Sequence, residues 1–376
     1  MTAFDDYLDT FAGDPGYLNW AAFGPLSPGV RAEAFADADL LASMRPASHA
    51  LVFDRAAQAR EVIAGMLGAD VDEVTVQPSS THGLAHALYG LQGAVIASSA
   101  EFPSVSITLE RAVQTAQGGI SARWIAPGDG RVTPDAVSEA LDDEVTALVV
   151  SHVDFRTGYR ADLAALRELI GPDRLLIVDA VQSFGIVDED FSAADVVAGH
   201  GYKWLRAGRG SGFARYSAFA RERIRPVLSG VAGTTSEGLP VDALPPAAAS
   251  ARAFTVSAPD HLAAARLTVG AAEVRDAGVA RIEERISAHV DEILEIADRH
   301  GIPVSSPREP ARRAGIVALA PAELGRLAAA LANADVSVTA RGDTVRLAPH
   351  AGTGSETIRM LDDALSGFGN ETFIGA

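Results

Sequence analysis

"RLLIVDAVQSFGIVDEDFSAADVVAGHGYKWL", residues 174–205, carries the pattern on which the fold turns. It holds two short runs, RLLIVDA (174–180) and DVVAGH (195–200), that are apolar almost throughout. A strand of that kind has to be covered on both faces, as strands of parallel sheets flanked by helices are. Four earlier runs repeat the pattern: EVTVQP (73–78), GAVIAS (93–98), ARWIAP (122–127) and TALVVSHV (146–153). Helix-like stretches at 54–68, 102–117, 133–142 and 160–171 alternate with them. The chain from about residue 50 to residue 230 therefore reads as α/β with a mainly parallel sheet.

The texture changes after LPVDALPPAAASA (239–251), a Pro/Ala-rich connector. Residues 259–301 show helical spacing and read as one or two long helices broken near Gly278. Short runs at 314–320, 336–340 and 344–349, a helix at 321–334 and a last helix from GSETIRMLDDAL complete a small α+β unit. The expected division is an N-terminal arm at 1–16 packing on the small domain, a large domain at 17–250 and a small C-terminal domain at 251–376.

The 376 residues suffice for about two domains, and 48% hydrophobic with 21% charged residues is a globular composition. No apolar run approaches the roughly 20 residues that span a bilayer. The acidic opening MTAFDDYLDTFAGDPG lacks a signal core, so the expected compartment is the cytoplasm. A net charge of −18 argues against nucleic acid and anionic membranes as partners. With no cysteine there is no disulfide, thiolate metal site or thiol nucleophile, and no metal is expected.

Lys203 is the only lysine, and the other 30 of the 31 basic residues are arginine. Pairing with carboxylates or phosphates is served by a guanidinium; a lysine differs in that it can lose its proton near neutral pH and add to a carbonyl. A single surviving lysine in an Arg-rich chain is the plainer reading of the count. Asp179 ends a buried run, where a carboxylate needs a cationic partner or several donors. Ser79, Ser80 and Thr81 lead into a helical stretch, which makes either a phosphate cradle or an ordinary N-cap. One ligand satisfies all three features: pyridoxal 5'-phosphate (PLP) brings an aldehyde for the amine, a ring nitrogen for the acid and a phosphate for the hydroxyl turn.

The segments YLNWAAFGPLSPGV, PSSTHGL, AEFPSV, SHVDFRTGY, VDAVQSFG, GHGYKWL, GTT and VRLAPH occur in an order that resembles the fold-type I PLP enzymes of aminotransferase class V. That group includes cysteine desulfurases, selenocysteine lyases, kynureninases and isopenicillin-epimerase-like proteins. The resemblance runs from about residue 17 to residue 365 and implies the PLP-dependent transferase-like fold. It makes Lys203 the residue that carries the cofactor and then shuttles protons, and Asp179 the partner of the ring nitrogen. Gln182 falls near the cofactor's phenolic oxygen, and Phe102 where a side chain stacks on the ring. Ser80, Thr81, His200 and Tyr202 match phosphate contacts, and Arg346 matches the binder of the substrate α-carboxylate. Thr234 or Thr235 resembles a threonine that reaches the phosphate of the neighbouring subunit, which implies a homodimer with the site at its interface.

The chain departs from the pattern at Phe155, where many relatives have Asn, and at His82, where many have Glu. Desulfurases of this class form a persulfide on a mobile cysteine, and this sequence has none. The resemblance implies an enzyme acting on an amino acid or small amine through an external aldimine, with amino transfer as the first expectation. The alternative is a C–S or C–Se β-lyase, or a kynureninase- or epimerase-like enzyme, without a persulfide step; the YKWL and EFPS segments lean to the kynureninase and epimerase branch. Two further readings are a PLP-fold protein that binds without catalysing, and an α/β protein for another phosphate ligand. No G-x-x-x-x-G-K-[ST] or G-x-G-x-x-G supports a nucleotide, and GRGSG (208–212) reads as a turn.

Overall fold

The computed structural model describes residues 2–43, 45–115, 119–236 and 244–370. Part of the expected connector, 239–243, and the end of the expected helix at 102–117 lie outside the described residues. Seven strands form one sheet: β1 Val74–Gln77, β2 Gly93–Ser98, β3 Ile120–Ile125, β4 Val145–Ser151, β5 Leu175–Asp179, β6 Val196–His200 and β7 Gly212–Tyr216. Their order is β1-β7-β6-β5-β4-β2-β3, and β7 alone runs against its neighbours. A second sheet, β8-β10-β9, joins β8 Val317–Leu319, β9 Thr339–Arg341 and β10 Thr344–Leu347 in antiparallel fashion.

The apolar runs are strands because the large sheet is buried on both sides. Alternate residues divide between two cores: Val95, Val149, Ile177 and Ala198 enter one, with Leu84 and Leu88 of the helix Ser80–Gly90. Ile96, Leu148, Leu176 and Val197 enter the other, with Ile63 of the helix Arg55–Leu67. Period-2 geometry thus sorts each central strand's side chains between two buried faces, and in this sheet only the edge strand β3 exposes positions, Ser121 and Trp124.

The break foreseen near Gly278 separates the helices His261–Ala277 and Val279–Arg299, and Gly278 has a φ of 89°. The first of these helices lies on the helices Pro28–Ala42 and Arg55–Leu67. Neither Pro28–Ala42 nor Pro46–Phe53 was foreseen as a helix. The strand foreseen at 336–340 sits later, at β9, and the helix foreseen at 133–142 is confined to Pro134–Ser138. GRGSG turns as expected, but its last glycine opens β7, which the sequence reading did not contain. No helix among the described residues is long and apolar enough to cross a membrane.

Candidate active site

Ser151, Asp179 and His200 end the adjacent strands β4, β5 and β6. Each continues the set of alternate residues that faces the helix Ser80–Gly90, and Ser151 is paired with Asp179 in the β4–β5 register. Three polar side chains therefore emerge together on one face at the carboxyl ends of parallel strands, where ligands of open α/β sheets gather. A cavity of about 370 Å³ opens there, walled by Phe102, Phe155, Tyr202, Lys203 and the Ser79–Thr81 turn.

Lys203 is 5% exposed. Its Nζ lies 5.3 Å from the centroid of the Tyr202 ring and 5.8 Å from that of Phe102, with no hydrogen bond or ion pair among the described residues. Burial pulls the ammonium down to about 7; Asp179 opposes that shift, while the charges of Arg346, Arg209 and Arg341 assist it. Burial likewise pushes the Asp179 carboxyl up, opposed by the Val181 N–H that donates to its Oδ1 at 3.0 Å and by Lys203. The pocket favours a free, nucleophilic amine beside an acid able to hold a proton.

At the other end of the cavity, Ser79 is fully extended and caps no helix N–H. Its Oγ instead lies 2.9 Å from His82 Nδ1. The N–H groups of Ser80 and Thr81 have no partner among the described residues, and the Thr81 hydroxyl meets that of Ser104 at 2.7 Å. Gly212 makes this turn possible, since a Cβ there would stand 2.5 Å from Ser79 Cα. The Tyr202 N–H donates to His200 Nδ1 at 3.4 Å. Burial, then the Lys203 and Arg209 charges, lowers His200 to about 3, so the ring is neutral and carries its proton on Nε2. Free N–H groups at a helix start, hydroxyls, an imidazole N–H and Arg209 at the rim make a site for an anion.

Neighbouring residues hold these groups in place. Gln182 donates from Nε2 to the Ala21 carbonyl at 3.0 Å and accepts from Trp204 Nε1 at 3.1 Å, so its amide is fixed from both ends. The Gly24 N–H donates to the Tyr202 carbonyl at 2.9 Å, and a Cβ at Gly24 would stand 1.9 Å from the Lys203 carbonyl oxygen. Phe102 and Phe155 meet edge to face at 5.1 Å. Behind them Glu101, 9% exposed, accepts from both the N–H and the hydroxyl of Ser151. Burial raises the Glu101 carboxyl to about 7 against the pull of those two hydrogen bonds.

Ser80, Thr81, Phe102, Asp179, Gln182, His200, Tyr202 and Lys203 all line this one cavity. Arg346 does not; it lines an adjoining chamber that shares Phe155. Thr234 and Thr235 line neither, and the Thr234 hydroxyl donates to the Val231 carbonyl at 3.2 Å. Sequence reasoning missed Ser104, Ser151 and Arg209 as lining residues, and Glu101 behind them. Ser151 carried a signal, since it ends a buried run as Asp179 does, whereas Arg209 sits in a turn that only the fold brings inward. The buried amine without a partner, the acid beside it and the unpaired N–H groups match the aldehyde, ring nitrogen and phosphate of PLP.

The family model described as aminotransferase class-V matches residues 42–359. The cysteine desulfurase IscS of Ectopseudomonas mendocina is 32% identical over 199 residues, 48% of this chain and 48% of that protein. Its namesake in Pseudomonas putida strain F1 is 30% identical over 235 residues, 57% of each. The chain spans about half the length of the curated relatives it matches. Among solved structures, the apo cysteine desulfurase of Thermococcus onnurineus NA1 has a TM-score of 0.84 at 17% identity, covering 95% of both chains. The complex of the cystine C–S lyase C-DES with its reaction product cysteine persulfide has a TM-score of 0.84 at 20% identity, covering 94% of this chain and 98% of that one. At these identities the likeness is one of fold.

Proposed function

The chain belongs to the aminotransferase class-V family of PLP-dependent enzymes, and from that premise we propose that it is a carbon–sulfur lyase for a sulfur-containing amino acid, working without a thiol of its own. One contrast carries the reading: the curated relatives bear the name cysteine desulfurase, while this sequence holds no cysteine on which a persulfide could form. The sulfur then departs on a fragment of the substrate. Amino transfer, the first expectation from sequence, draws on the same residues and is the alternative that assay separates.

Bound in the cavity, PLP supplies an aldehyde for an amine and a ring that takes up negative charge developing at the substrate's α-carbon. Lys203 would hold the cofactor through its free amine, and the same amine, once freed, would take the proton from the substrate's α-carbon and pass it to the departing sulfur. Asp179 keeps a proton on the ring nitrogen. Ser80, Thr81, His200 and Arg209 grip the phosphate, and Phe102 covers the ring face and excludes water. Arg346 holds the α-carboxylate. Thr234 and Thr235, away from their own chain's cavity, serve the partner's phosphate in a cytoplasmic homodimer.

Two measurements test this. Borohydride treatment of the PLP-loaded protein should fix the cofactor on the peptide containing Lys203 and leave Lys203→Ala unlabelled; a wild type that takes up no PLP refutes the cofactor. With cysteine or cystine, pyruvate and ammonia appearing without any keto-acid acceptor support elimination. A keto acid formed only when an acceptor is present signals amino transfer, and alanine as product signals desulfuration.

A further inference from the structure

Beside the cavity that holds Lys203 lies a second chamber of about 300 Å³, and Phe155 is common to the walls of both. Three arginines line it. Arg156 is neutralised, its Nη2 standing 2.7 Å from Asp154 Oδ2. Arg346 and Arg341 have no carboxylate within 4 Å among the described residues. They share a face of the small sheet: Arg341 on β9 is opposite Thr344 on β10, and Arg346 is two residues further along β10. Arg346 is 7% exposed; its Nη1 donates to the Phe155 carbonyl at 2.7 Å, and its Nε is buried without a partner. Arg341 is exposed at the outer end, its guanidinium carbon 5.5 Å from the centroid of the Phe155 ring.

A buried guanidinium with an unpaired N–H and a like charge beside it is costly until an anion arrives. Burial, then the Arg341 charge, pulls Arg346 down to about 10, so it is still a cation at neutral pH. One α-carboxylate satisfies the inner arginine only. It must lie next to the α-carbon, hence close to Lys203, while the substrate's side chain extends past Phe155 towards the outer arginine. Two carboxylates also line the chamber. Asp129 is paired with Arg131 at 3.5 Å, and Asp343 is exposed at the β9–β10 turn.

We propose that the chamber receives the side chain of an amino acid that ends in an acidic group, with Arg341 binding that distal anion while Arg346 binds the α-carboxylate. The proposal rests on the reading of the Lys203 cavity as the place where the substrate's α-carbon is held. It selects, among possible amino acids, those with two anionic ends.

The test is equilibrium binding to the PLP-loaded protein by calorimetry, with unreactive probes: glutarate for two anionic ends, butyrate for one, and 4-guanidinobutyrate for an anion and a cation that cannot form an imine. Glutarate should bind about tenfold tighter than butyrate, the scale of one added guanidinium–carboxylate pair. Arg341→Met, a change at an exposed position, should bring the ratio close to one, and Arg341→Lys should restore part of it. Equal binding of glutarate and butyrate, no binding of either, or a preference that survives Arg341→Met overturns the proposal. Tighter binding of 4-guanidinobutyrate also overturns it and assigns the chamber to Asp343 and a basic side chain. No probe is turned over, so the result stands apart from whether the enzyme proves to be a lyase or an aminotransferase.

Discussion

In the proposed function, Lys203 would meet PLP with an amine that burial has brought to about 7. Only the unprotonated amine attacks an aldehyde, so covalent capture of PLP by cofactor-stripped protein should quicken about tenfold per pH unit up to pH 7 and then level off. Stopped-flow absorbance checks this; a rate still climbing past pH 9 would mark an ordinary, solvated lysine. Glu101 shows the opposite effect of burial. Folded chains hold its proton up to about pH 7, whereas unfolded chains release it near 4.5. Folding therefore binds a proton between those values, and this residue makes the fold less stable as pH rises across that window, with the full penalty present above it. Glu101→Gln removes the charge, so its stability relative to wild type should be higher at pH 8 than at pH 5, by on the order of 2 kcal/mol. Urea unfolding at the two pH values, with PLP saturating, measures it.

The strand ends gather the candidate site, and much of this clustering was legible beforehand. Asp179 was readable because a charged residue closing a run as apolar as LLIV has to be paired or used. Ser80 and Thr81 were readable because hydroxyls precede a helical stretch. β7 was not, because GFARY mixes Gly and Arg with apolar residues and follows a glycine-rich turn. With β7 went Arg209 and the contact of Gly212 with Ser79. Glu101 went unnoticed since a lone Glu before an aromatic residue reads as surface, whereas the fold buries it against Ser151 and its neighbours. The Gly212 contact is rigid, as the atoms a Cβ would meet belong to the Ser79 backbone. Gly212→Ala should cost about 1–3 kcal/mol of stability and weaken PLP binding, because the anion-binding turn has to move. Gly65, inside the helix Arg55–Leu67 with open space around it, is the control: alanine there should be neutral or stabilise by up to about 1 kcal/mol. Denaturant midpoints and PLP titrations of both variants separate the two effects.

For the whole molecule, the open question is where Thr234 and Thr235 act. They lie outside both chambers of their own chain, and the resemblance that singled them out pairs them with a second subunit's phosphate. If that is right, light scattering should give a mass near twice 39.0 kDa, and Thr234→Val with Thr235→Val should loosen PLP by more than the loss of the Thr234 hydrogen bond to the Val231 carbonyl lowers the unfolding midpoint of PLP-free protein. A monomer that holds PLP as tightly would remove these residues from the site. The net charge of −18 makes the cationic chamber at Arg341 and Arg346 an exception on an anionic chain, which favours a small anion over an extended one as its guest.

The solitary lysine, 5% exposed beneath Phe102 and Tyr202, also provides a built-in unfolding gauge. An endoprotease that cuts only after lysine has a single target in this sequence, and the fold shields it. A brief pulse of such a protease in graded urea would leave native molecules intact and sever unfolded ones once, near mid-chain, so band intensities on a gel report the folded fraction with no label attached.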